Sequence, residues 1–64
     1  MEDPKLVAEA LLIKHQDDAV SVAADAAVAA LQAGDLALAD HWKKVVWHAE
    51  RLLLESDAEA HSKH

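Results

Sequence analysis

The chain has one proline, Pro4, and one glycine, Gly34, in 64 residues. Nothing else in it breaks a helix outright, and both residues stand where a helix boundary suits them. Proline is tolerated at the first helical position, where its missing N–H would have no partner anyway, and glycine closes a helix by adopting the left-handed conformation. In EDPKLVAEALLIKH, Asp3 is therefore the N-cap of a first helix that starts at Pro4. The sequence predicts an all-α chain with helices at about 4–15, 18–33 and 36–56.

At ~100° per residue, Leu6, Val7, Ala10, Leu11 and Ile13 share one face of the first helix, opposite Lys5, Glu9 and Gln16. The segment HQDDA follows, in which Asp17 or Asp18 can cap a second helix and favour its positive end. That favours a break between the helices, although a kinked continuation is compatible with the absence of glycine and proline. The second helix, DAVSVAADAAVAALQA, is rich in alanine, the strongest helix former. Its polar residues Asp18, Ser21, Asp25 and Gln32 form a narrow stripe, so its wide apolar arc should be covered on more than one side. Gly34 then closes it and Asp35 caps the third, and a turn this short folds the two into an antiparallel hairpin. Residues 57–64, DAEAHSKH after Ser56, lack apolar periodicity and are expected to fray as a polar tail.

A chain of this length forms one domain, here placed at 1–56, and buries only about 60% of the surface its unfolded form exposes. Small cores need support from disulfides, metals or association. Cysteine is absent, which removes disulfides and thiolate metal sites and fits a reducing, cytoplasmic setting. Twelve acidic residues against six basic ones give a formal charge of −6. The scattered Lys and Arg do not form the basic patch that nucleic acid requires. No apolar run approaches the ~20 residues of a membrane span, and MEDPKLV does not start like a signal peptide. Association is the remaining support.

Trp42 and Trp47 are the only aromatic residues besides histidine, and the stretch WKKVVW separates them by five positions. One helix cannot turn both into one core. Leu38, Ala39, Trp42, Val45, Val46, Ala49, Leu52 and Leu53 fill one arc of the third helix, and that arc belongs to the core. Together with Leu6 and Leu11 of the first helix and Val28 and Leu31 of the second, this arc supplies the expected core. Trp47 lies roughly 140° from Trp42 around the helix, in line with Leu36 and Leu54. Lys43 and Glu50 border this line on one side, Asp40 and Arg51 on the other. Two explanations compete. Isolated surface hydrophobes are ordinary, and the first helix could fold over Trp47. Alternatively, a Trp aligned with two Leu and rimmed by charge marks a contact surface. The small size of the chain favours the contact, with Leu12 as a further contributor, and a homodimer is its simplest form.

Candidate chemistry is sparse. His41 and His48 are seven residues apart, ~10.5 Å along a helix, too far to share one ion unaided. His61 and His64 have an i,i+3 spacing in the tail, and His15 sits at the first helix's end, where it can cap that end or meet its dipole. The acids occupy caps (Asp3, Asp17, Asp35) or exposed helix positions (Glu9, Asp25, Glu50, Glu55), while Asp40 and Lys44 form a favourable i,i+4 pair. Ser21, Ser56 and Ser62 are the only hydroxyls, and there is no phosphate-cradling loop. No catalytic residue, cofactor or metal ligand is assigned.

The stretch AADAAVAALQAGDLALADHWKKVVWHAERLL resembles a single tetratricopeptide-type helical hairpin, with small residues packed within the pair and Gly34-Asp35 at the turn. Its period does not recur, whereas such repeats need about three copies. Across residues 7–53, His15, Asp18 and Ala19, then Gly34-Asp35, Trp42 and Leu52-Leu53, the chain resembles small bacterial helical proteins of unknown function. In those an H-G-D-x-A-like turn, a G-D turn and a Trp in the last helix are expected, and Gln16 stands where that pattern has glycine. The resemblance implies a fold and no activity.

The sequence thus predicts a small three-helix domain acting as a non-enzymatic interaction or regulatory module. Leu36, Trp47 and Leu54 would carry the contact within a rim of Asp40, Lys43, Glu50 and Arg51. Its partner would be a second copy or another protein, with no nucleic acid and no membrane. Other readings are a His/carboxylate metal-binding protein and an acidic inhibitor, antitoxin-like, occupying a basic partner.

Overall fold

Local capping sets the helix starts. In the computed structural model, which describes residues 2–62 in backbone and 2–55 in side chain, the Asp3 carboxylate accepts the Lys5 N–H at 2.9 Å. The Asp3 carbonyl accepts the Val7 N–H at 3.1 Å, and helix α1 runs Pro4–His15. A 3-10 turn, Gln16–Asp18, leads into α2, Ala19–Gln32. After the Gly34 turn, α3 runs Leu36–Ser62. The described residues contain no strand. Two helical arms result, one of α1 and α2 interrupted at Gln16, the other of α3 alone.

The interruption falls within HQDDA, where a break was expected, but without the aspartate cap. Neither Asp17 nor Asp18 caps α2 with its side chain; Asp18 stands at the N-cap position but in a helical conformation, and its carboxylate makes no capping bond. Gln16 takes the turn instead, at φ 52° and ψ −122°, a conformation that suits glycine and strains a residue with a Cβ.

At the other corner, glycine does stand where it is needed. Gly34 has φ 77°, and the Asp35 N–H reaches back to the Ala30 carbonyl at 2.9 Å while the Gly34 N–H bonds the Leu31 carbonyl at 3.0 Å. This is the Schellman arrangement, which satisfies carbonyls at the end of α2. Asp35 then caps α3 by accepting the Leu38 N–H at 3.1 Å. Helix α3 continues to Ser62, past the boundary expected near 56, because Ala58, Glu59 and Ala60 are good helix formers and no stop signal follows. Residues 63 and 64 of the expected tail lie outside the described residues.

Both α1 and α2 pack against α3. The buried set is Ala8, Ala19, Ala23, Ala27, Ala30, Ala39, Val45 and Ala49, with Val45 the largest side chain fully buried. Val7, Leu11, Val20, Trp42, Val46 and Leu52 close around its centre. Alanine at the contacts lets helix backbones approach closely, and the larger residues then fill the flanking spaces.

This corrects the expected core. Leu6 is 58% exposed, Val28 51% and Leu31 48%. On α2 the alanine line 19–23–27–30 faces α3, which rotates Val28 and Leu31 onto the flank; adding them to a core already holding Trp42 and Val46 would overfill it. In α1 the apolar residues lie nearly all round, so the contact is chosen by Ala8, and Val7, Ala8 and Leu11 turn inward. Ile13, expected on the same face as Leu11, is 83% exposed. Leu12, expected to be left for contact, is half-buried; Leu38, Leu53 and Trp42 are half-buried as well. The whole is drawn out along α3, with extents of 47 × 18 × 16 Å and a radius of gyration of 12.8 Å, against about 11 Å for a compact chain of this length.

Candidate functional site

The outer face of α3 is bare. Capping by Asp35 fixes where the helix begins, and the packing of Ala39, Val45 and Ala49 on the other arm fixes its rotation. Those two constraints turn Leu36, Trp47 and Leu54 away from both α1 and α2, leaving them 71%, 54% and 67% exposed. Asp40, Lys43, Glu50 and Arg51 are exposed around them. All seven residues of the expected contact thus share one open face. Of the rim residues, Asp40 holds Lys44 at 3.2 Å across one turn, with both side chains more than 60% exposed, a pair worth little on its own.

Trp47 is nevertheless partly dressed by its own chain. The Arg51 guanidinium lies 5.0 Å from the indole centre, a cation–π contact one turn along the helix. The His48 ring meets the indole edge-on, with centroids 4.8 Å apart. Lys5 of α1 joins Trp47, His48, Arg51, Leu52 and Glu55 around an open depression of about 250 Å³. The part played by Lys5, His48, Leu52 and Glu55 was missed in the sequence. Lys5 lies more than forty positions from the others, and no local pattern announces that α1 crosses there. First-helix cover over Trp47 is thus slight: Lys5 borders the same depression, and the indole keeps half its surface.

The inner tryptophan is handled differently. Trp42 packs against the buried cluster, and His41 meets it edge-on at 5.6 Å. His41 and His48 therefore each lean on a neighbouring indole. Among the described residues, no group of three or more His, Asp or Glu converges to hold a metal ion; the side chain of His61 and the whole of His64 lie outside them. Among the described residues no polar or charged side chain is buried, and none leaves a buried nitrogen or oxygen without a hydrogen-bond partner. No described helix is long and apolar enough to cross a membrane.

The chain matches no protein-family model, no curated protein and no solved structure. The functional reading therefore rests on the geometry of this face.

Proposed function

We propose that the chain is a non-enzymatic, three-helix interaction module, cytoplasmic in setting, that pairs with a second copy of itself through the outer face of α3. The observation that carries the reading is the exposed line of Leu36, Trp47 and Leu54 on a helix whose opposite side forms the core. An indole half open to water, flanked by two leucines and rimmed with both charge signs, has the make-up of an interface centre and its border. The modest interior adds weight. Seven of the eight buried residues described are alanine, so little apolar area is hidden per residue, and association would supply what the core lacks.

Sedimentation equilibrium tests it. The wild-type chain, of 6.9 kDa, is expected to show a concentration-dependent mass approaching twice that value. Trp47→Ala is expected to remain at the single-chain mass with its helical circular dichroism intact. A wild-type mass that stays single at every concentration rejects self-pairing and leaves the face to a different protein. Melting of the single chain by Trp47→Ala would make that indole part of its own fold.

A further inference from the structure

Granting the self-pairing just proposed, the geometry points to one arrangement: two α3 helices lying antiparallel, related by a two-fold axis at the level of Val46. Such an axis sets each position as far before residue 46 beside the position equally far after it in the mate. Asp40 then falls one residue from Arg51 of the second copy, and Lys43 one residue from its Glu50. Leu36 falls two residues from Leu54, and Trp47 two residues from its own counterpart. All these pairings agree to within about 3 Å of helix rise. A single register thus satisfies every member of the exposed face.

The flanks agree as well. Asp40 and Arg51 lie on one side of the apolar line, Lys43 and Glu50 on the other. In an antiparallel two-fold pair each flank meets its own equivalent, so an acid faces a base on both sides, twice over. Glu55 lies beside the first turn of the mate's α3, where the helix dipole favours a carboxylate. A parallel pair would set Asp40 near Lys43 and Arg51 near Glu50 of the mate, but it aligns the two dipoles. The contact is short, about 27 Å from Leu36 to Leu54, so pairing is expected to be reversible and concentration-dependent.

The chain contains no native cysteine, which makes cross-linking clean. Leu36→Cys and Leu54→Cys are prepared separately, then mixed and treated with a short bis-maleimide. Linkage in the mixture, and in neither variant alone, is the expected result, because equivalent Leu36 positions are about 30 Å apart in this register. Self-linkage of each variant alone overturns the antiparallel register in favour of a parallel one while leaving the pairing itself intact. A doubled mass with no linkage in any tube places the interface elsewhere and also overturns it. A single-chain mass throughout refutes the underlying pairing instead. As a second arm, Lys43→Glu is expected to weaken association roughly tenfold or more by setting like charges together. Lys43→Glu combined with Glu50→Lys is expected to restore it, and failure of that rescue counts against the register.

Discussion

The two faces of α3 carry one tryptophan each, and the structure treats them in opposite ways. Trp42 leans on a cluster of Ala8, Ala23, Val45 and Ala49. Trp47, one and a half turns on, has Arg51 and His48 against it and borders an open depression shared with Lys5, Leu52 and Glu55. The same side chain is thus part of the fold in one place and left to solvent in the other. Composition does not separate them; their neighbours across the interior do. Alanine on α1 and α2 gives the inner face backbones to pack against, while the described residues of α1 and α2 leave Leu36, Trp47 and Leu54 of the outer one exposed.

The sharpest way to break this contrast is to truncate each indole in turn. Trp42→Ala should cost about 3 kcal/mol, the low end of the range for core tryptophans because the ring is half-buried. That is much of what a domain this small has, so thermal melting by circular dichroism should show a large drop or no cooperative transition. A change of only a few degrees would mean that the alanine contacts alone hold the fold. Next in size is the bend that brings α1 against the inner side of α3. Gln16→Gly should relieve the strain at φ 52° and raise stability by about 1 kcal/mol after the added chain entropy is deducted. In a domain of this length that is roughly 4–8 °C in Tm, and a lower Tm would refute the bend. The smallest effect belongs to Trp47→Ala at concentrations low enough to keep the chain single. It should shift stability by no more than about 0.5 kcal/mol, as for surface changes generally. A loss comparable to that of Trp42→Ala would erase the distinction between the faces.

Much of this was legible in the residues. Asp3-Pro4 and Gly34-Asp35 mark their helix ends through hydrogen bonds spanning two to five residues, so local sequence suffices to place them. The ion pair of Asp40 with Lys44 is equally local. The outer line of α3 was also readable, since a long helix makes angular position a matter of counting. The rotation of the shorter helices was not. Nearly every side of α1 is apolar, and α2 offers valine and leucine as well as alanine, so periodicity alone favoured Leu6, Val28 and Leu31. Large side chains attract the eye as core candidates, but here close approach at Ala8, Ala23 and Ala27 gained more contact than burying them would have. The approach of Lys5 to Trp47 was hidden for the same reason: it depends on how α1 crosses α3.

By itself, then, the sequence determined where the first and last helices start, how the hairpin closes and that the last helix has two apolar sides. These follow from capping, from glycine's freedom at φ 77° and from the helical repeat, all of which act within a few residues. Only the tertiary structure decided which sides of α1 and α2 go inward, and that Gln16 rather than an aspartate makes the corner. That choice depends on volumes meeting across three helices at once, a property that no one segment contains.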